Sequence, residues 1–311
     1  MRRYLPALLA LGLVGGSTQA VADETAADAL VGRWDIDLHA PGGDQPSWLE
    51  IRRSGHTTLV GSFVGTGGSA RPISRIEFAG DTMHFAIPPQ WEGGNGELNV
   101  RGRLSEGALA GTMIFPDGKQ YEWSAKRAPS LRRTAVPRWG EPLRLFNGRN
   151  LDGWRTLAGK SQWKVENGVL RNAAAGANLV GERKFDDFKL HVELRLPKGS
   201  NSGVYLRGRH EVQIADTFGE PASDTLGAIY GFLAPSEDAS LPPDQWQSLD
   251  ITLIGRRVSV AVNGRTVICD REIPGITGGA LDSDEGAPGP LFLQGDHGPV
   301  EFRDITLTPA L

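Results

Sequence analysis

Turn-forming residues interrupt this chain so often that no long element survives between them. The 311 residues include 41 glycines and 20 prolines, and the stretches between these breakers alternate apolar and polar side chains. Period-two alternation puts one set of residues on each face of a β-strand. Helical spacing is weak throughout, so the chain reads as all-β, with many short strands joined by turns. A composition of 39% hydrophobic and 23% charged residues supplies a core and excludes a disordered chain. The length suggests two domains.

Residues 23–126 read as a small antiparallel barrel-like meander. Trp34–Leu38, Trp48–Ile51 and Ile73–Phe78 alternate cleanly. Thr58–Val64, Met83–Ile87, Leu98–Leu104, Leu109–Phe115 and Gln120–Ala125 bring the strands to eight. Gly42-Gly43, Gly80-Asp81, Glu106-Gly107 and Asp117-Gly118 are turn signals between them. Closing such a meander removes its exposed edges. No clustered nucleophile, base or metal set occurs in this part.

Residues 127–142 carry Pro129, Pro137 and Pro142 with Arg132, Arg133 and Arg138, the composition of a linker. Residues 143–311 form a second all-strand domain. Asn167-Gly168 and Asn263-Gly264 are hairpin signals, because both residues tolerate the positive φ of a tight turn. A two-sheet β-sandwich is the packing expected for these strands.

Residues 1–22 read as a cleaved secretory signal peptide. Arg2 and Arg3 precede an apolar stretch from Leu5 to Gly16, and Ala20-Val21-Ala22 offers a small-x-small cleavage site. The apolar run falls short of the roughly 18 residues that would span a bilayer, so the expected location is periplasmic or secreted, with no membrane span. The net charge of −4 loses Arg2 and Arg3 with the leader and becomes −6, which argues against a nucleic-acid partner. The lone Cys269 excludes an intrachain disulfide framework and a cysteine zinc site.

The chemistry concentrates between Ser200 and Arg303. Along Asn201–Arg207, Tyr205 and Arg207 should share one face, with Val204 and Leu206 on the other. Glu211 and Gln213 oppose Val212 and Ile214 in the same way, and Asp216 follows just beyond. A sheet face carrying carboxylate, amide and phenol groups suits a sugar, whose hydroxyls need paired donors and acceptors. A solvated outer face with an ordinary Arg–Glu pair would give the same pattern. Gln294 ends a later strand, and the glycines after it present His297, which titrates near neutrality. Asp282, Asp284 and Glu285 lack the spacing of a calcium loop and read as an exposed acidic turn.

Eight segments in order over about residues 143–308 resemble the 3-keto-disaccharide hydrolase family. They are Leu145–Trp154, Trp163–Leu170, Phe185–Phe188, Asn201–Arg207, Glu211–Asp216, Gly227–Gly231, Val262–Gly264, and Leu293–Gly298 followed by Glu301–Arg303. The sequence departs from the family pattern at Phe185, where a tyrosine is common, and at Gly295, inserted before Asp296-His297-Gly298. The resemblance implies a concanavalin-like β-sandwich of jelly-roll type, and action on glycosides whose glucose ring carries a ketone at carbon 3.

That ketone acidifies the hydrogen on carbon 2, so a base can remove it and expel the group on carbon 1. The resulting hydroxy-enone then adds water. The route needs a base, an enolate stabiliser and an acid for the leaving oxygen. The expected base is Glu211 or Asp216, with Arg207 as stabiliser and His297 as acid. Asn201, Tyr205, Gln213, Tyr230 and Gln294 would bind substrate hydroxyls. A divalent metal on Glu211, His297 and Asp216 is an alternative electrophile to Arg207. A non-catalytic, lectin-like carbohydrate-binding protein is the alternative function, since one fold hosts both.

Overall fold

The computed structural model describes residues 27–157 and 159–311. The leader expected over residues 1–22 lies outside the described residues.

The eight strands expected in the first part are all present. They are β1 (Gly32–Ala40), β2 (Gly43–Ser54), β3 (Thr58–Val64) and β4 (Arg71–Ala79), then β5 (Thr82–Ile87), β6 (Leu98–Ser105), β7 (Ala108–Ile114) and β8 (Gln120–Arg127). Each pairs with the next in antiparallel register, and β8 returns to β1 to close the barrel. Inward positions such as Trp34, Ile36, Phe63, Phe85, Val100 and Trp123 fill the interior. Closure leaves no open edge.

The second part is a two-sheet sandwich. One sheet runs β10 (Trp154–Thr156), β13 (Leu179–Phe185), β20 (Gly289–Leu293), β15 (Asn201–Leu206) and β16 (His210–Ala215). The other begins β11 (Trp163–Glu166), β12 (Val169–Asn172), β21 (Val300–Pro309) and β14 (Phe188–Arg195). It continues through β17 (Gln247–Ile254), β18 (Arg257–Val262) and β19 (Arg265–Glu272), while β9 (Leu143–Arg144) pairs with β21. Between the sheets lies an apolar core that includes Val204, Leu206, Val212, Ile214, Leu249, Ile251 and Phe302. Asn167 and Asn263 adopt positive φ at the β11–β12 and β18–β19 turns, each followed by a glycine that does the same. Those are the two Asn-Gly hairpins that the sequence signalled.

The segment between barrel and sandwich is strapped down rather than free. Arg133 pairs with Asp187 at 2.8 Å and with Asp186 at 2.7 Å, and Arg256 donates to the Pro129 carbonyl at 2.9 Å. The barrel therefore docks directly on the sandwich. Trp48 of β2 is fully buried at this junction with Val64 and Ile276, and meets Phe232 edge-on at a ring separation of 5.4 Å. A Cβ at Gly275 would collide with the Trp48 indole, so glycine is what lets the two bodies approach this closely.

Glu285 corrects the expectation of an exposed acidic turn. Its carboxylate is completely buried at the junction, ion-paired with Arg256 and 3.6 Å from the His210 ring. Asp282 and Asp284 do stay at the rim, paired with Arg209 at 2.6 Å and Lys126 at 3.2 Å. All three acids have a cationic partner, so it is position at the barrel–sandwich junction, not pairing, that sets the buried Glu285 apart.

Candidate active site between barrel and sandwich

The antiparallel register of β15 and β16 sets Tyr205 opposite Glu211 and Gly203 opposite Gln213, so all four positions share one sheet face. Phe292 of β20 lies beside Tyr205, and the two rings stack at 4.3 Å. The other face of the same strands carries Val204, Val212 and Ile214 into the core. The free edge of β16 is covered by residues 227–230: Gly227 donates to Gln213, Gln213 to Ala228, and Tyr230 to Glu211. This brings the Tyr230 side chain to the same surface.

Gln294 follows β20, tied by its N–H to the Gly203 carbonyl at 2.9 Å. The next residues are fixed by side-chain amides. Asn172 donates to the carbonyls of Gly295 and Gly298, and the Asn178 oxygen accepts from the Gly295 and Asp296 N–H groups. The inserted Gly295 thus sits in a defined place, where any Cβ would strike the Ala177 carbonyl and the Trp163 indole.

These elements and the barrel enclose a cavity of about 440 Å³. Its sandwich side presents Asn178, Asn201, Tyr205, Glu211, Gln213, Tyr230, Gln294, Asp296 and His297, and its barrel side presents Thr66, Gly67, Gly68 and Trp91. The volume falls in the roughly 300–1,000 Å³ range of small-ligand sites. The amide oxygens of Asn201, Gln213 and Gln294 are buried without a hydrogen-bond partner among the described residues. Unmet buried acceptors are costly, and these three belong to carboxamides that line the same cavity.

Glu211 is 4% exposed. Burial pushes its carboxyl up to about 7, against the opposing effect of the Tyr205 hydroxyl, which donates to it at 2.8 Å. Gly203 makes room for this carboxylate, because a Cβ there would overlap it. His297 is half-buried at the rim with its ring 2.7 Å from Asp296. The hydrogen bond to Asp296 raises the imidazole above its ordinary range, and the same bond lowers the Asp296 carboxyl. The site thus pairs a carboxyl that titrates near neutrality with an imidazole biased toward its protonated form.

Two residues expected at the site are elsewhere. Arg207 lies past the end of β15 at φ 52°, so the strand's alternation no longer governs its direction. Its fully buried guanidinium turns away, donating to the Gly255 carbonyl at 2.7 Å and to Asp186 at 3.2 Å. Asp216, one residue past β16, accepts from the Gly199 N–H at 2.8 Å and does not line the cavity. Arg207 is misplaced because period-two alternation fails where the ladder stops, whereas Asp216 has the strand parity of Val212 and Ile214, not of Glu211 and Gln213. Among the described residues no group of three or more His, Cys, Asp or Glu side chains is placed to hold a metal ion. Glu211 and His297 do not by themselves amount to a metal site.

The sequence profile of the 3-keto-alpha-glucoside-1,2-lyase-like domain matches residues 141–308, more than half of the chain. The chain belongs to this family. Every cavity residue from the sandwich side lies inside the matched range, and Thr66, Gly67, Gly68 and Trp91 lie outside it. A 3-keto-disaccharide hydrolase of Bacteroides thetaiotaomicron is 32% identical over 152 residues, covering 39% of this chain and 50% of that protein. The chain thus spans about half the length of the curated relative it matches. A crystal structure from Parabacteroides distasonis, assigned as a glycosyl hydrolase, aligns with TM-score 0.46 at 26% identity over 57% of this chain and 92% of its own. A second such structure from that organism aligns with TM-score 0.46 at 18% identity, over 54% and 93%.

Sequence reasoning missed Trp91, Asn178 and the barrel loop at Thr66–Gly68. The first part carried no chemical motif, and only its docking on the sandwich turns its loops into a wall of the site.

Proposed function

We propose that this protein cleaves 3-keto-glycosides by elimination at carbon 1 followed by hydration. The observation that carries the reading is the placement of Glu211, a buried carboxyl titrating at about 7, in one cavity with the His297–Asp296 pair. A base with that pKa is half ionised at neutral pH and still basic enough to take a moderately acidic C–H proton. Membership of the 3-keto-alpha-glucoside-1,2-lyase-like family and the name of the Bacteroides relative support the substrate class.

In the first step Glu211 takes the carbon-2 proton, and the C–H electrons form the enolate with the carbon-3 ketone. Carboxamide N–H groups of Asn201, Gln213 and Gln294, with the Tyr230 hydroxyl, are the cavity donors available to the enolate and the ring hydroxyls. Collapse of the enolate breaks the bond from carbon 1 to the leaving oxygen, which takes a proton from His297. The hydroxy-enone then adds water at carbon 1. His297, now neutral, accepts the water proton and Glu211 returns its proton to carbon 2, so both groups are restored. Arg207 and Asp216 have no part in this scheme.

The test is to incubate the protein with 3-keto-trehalose or a 3-keto-aryl-glucoside beside the non-oxidised glycosides, with and without chelator. Release of 3-keto-glucose or its enone from the keto substrates alone is the expected result. Saturable binding without turnover would replace this reading with a lectin-like one, and turnover of plain glycosides would remove the elimination mechanism. Export by the leader is part of the proposal, with a mature protein expected to begin at Asp23 when its N terminus is read by mass spectrometry.

A further inference from the structure

The barrel does more than cover the site. Its position is fixed by backbone contact, since a Cβ on Gly278 would overlap the Gly68 backbone and the Gly279 N–H donates to the Thr66 carbonyl at 3.0 Å. Ser283 also donates to Asp37 of β1 at 2.5 Å. On this docked wall the Trp91 side chain is 74% exposed, although its loop is held by hydrogen bonds. Arg71 pairs with Glu92 at 2.6 Å with both side chains largely buried, and Glu92 also accepts from the N–H groups of Gln90 and Trp91. Gln90 bonds in turn to Ser69 at 2.7 Å. The indole lies against Gly68 and within hydrogen-bonding reach of the Tyr230 hydroxyl. An exposed aromatic ring on a hydrogen-bonded loop, facing a cavity lined by carboxamides and carboxylates, is arranged for a ligand with both hydroxyls and an apolar ring face.

We propose that Trp91, with the Gly67–Gly68 backbone, forms a subsite for a glycosyl leaving group, so that the barrel makes the enzyme selective for disaccharides. This inference rests on the function proposed above. If the keto ring places its carbon 2 at Glu211, the only other ring of a disaccharide is the leaving group, and Trp91 is the aromatic surface that the barrel side of the same cavity offers it. Binding a remote ring in this way raises turnover by holding the scissile bond in place.

The experiment compares wild type, Trp91→Ala and Trp91→Phe on 3-keto-trehalose and on methyl 3-keto-glucoside, with melting temperature as the folding control. Trp91→Ala is expected to lower kcat/KM for the disaccharide by about tenfold more than for the methyl glycoside, and Trp91→Phe to recover part of that difference. Equal losses on both substrates, or none on either, would overturn the subsite. Calorimetric binding of trehalose and methyl glucoside to the same three proteins separates the two proposals. A disaccharide preference that is lost in Trp91→Ala without any turnover would keep the subsite and sink the lyase reading. Failure of wild type to bind or turn over any of the four compounds would overturn both.

Discussion

The Tyr205 hydroxyl stands 2.8 Å from the Glu211 carboxylate and 2.9 Å from the Gly278 carbonyl. One hydrogen can serve only one of these acceptors at a time. While Glu211 is ionised, the hydroxyl donates to it. Once Glu211 holds a proton, the hydroxyl can turn to Gly278 and accept from the carboxylic acid. Both protonation states of the proposed base are therefore paired without movement of the sheet.

Glu211→Gln should keep the Tyr205 contact and lose the base. Turnover is expected to fall by about a hundredfold to ten-thousandfold. Stability should move the other way. The folded carboxyl at about 7 holds a proton that the unfolded chain releases in the ordinary carboxylate range, so native stability declines as pH rises between those values. The cost of that charge above neutrality is about 3 kcal/mol, and the amide removes it. Melting temperatures of both proteins near pH 5 and near pH 8 check this, with the gain confined to the higher pH.

The pH profile should be bell-shaped. kcat/KM rises through about 7 as Glu211 ionises, and falls at higher pH as His297 loses its proton. Asp296→Asn removes the anion that holds the imidazole protonated, so the alkaline limb should move to lower pH while the acid limb shifts little. An unchanged alkaline limb would remove His297 from the acid role.

Gly203→Ala places a methyl group where the Glu211 carboxylate lies. Displacement of the base by about an ångström is expected to cost about a hundredfold in kcat, with the melting temperature little changed. Activity equal to wild type would show that the base has room to relocate.

Arg207→Met tests the reassignment of that arginine. Loss of its buried bond to Gly255 should destabilise the fold by about 1–3 kcal/mol, read by denaturant titration. kcat per folded molecule should stay near wild type. A loss of orders of magnitude in kcat would restore Arg207 to the chemistry.

Asp35 of β1 is buried against Glu285 across the junction, and among the described residues neither of its oxygens has a hydrogen-bond partner other than that acid. Burial first, and the neighbouring Glu285 second, raise the Asp35 carboxyl, so the pair shares a proton donated from Asp35 to Glu285. That stability is present at low pH and is lost as pH rises through the raised value. Asp35→Asn should flatten the fall in melting temperature between about pH 4 and about pH 8. Limited proteolysis between barrel and sandwich over the same range gives a second readout.

Local sequence carried the strands. Alternation in Trp34–Leu38 or Ile73–Phe78 needs only the two-residue period of an extended chain, and Asn167-Gly168 and Asn263-Gly264 need only their tolerance of positive φ. The same period placed Tyr205, Glu211 and Gln213 on one face, because those residues lie inside the β15–β16 ladder. It misplaced Arg207, which lies one residue beyond the ladder, and it never assigned Asp216 to that face, since Asp216 has the parity of Val212 and Ile214.

What the chain determines by itself is therefore what neighbouring residues can settle: strand, turn, and which side of a strand a side chain occupies. Tertiary structure alone decided the rest. Glu285 is buried because Arg256 and Asp35 come from distant segments to meet it. Glu211 titrates near neutrality because surrounding strands remove its water, which no local pattern encodes. Trp91, more than a hundred residues before Glu211 in sequence, joins the site because the barrel docks through Trp48, Gly275, Gly68 and Gly278. Burial and approach are properties of the whole packed molecule, so they are fixed only when all of it has folded.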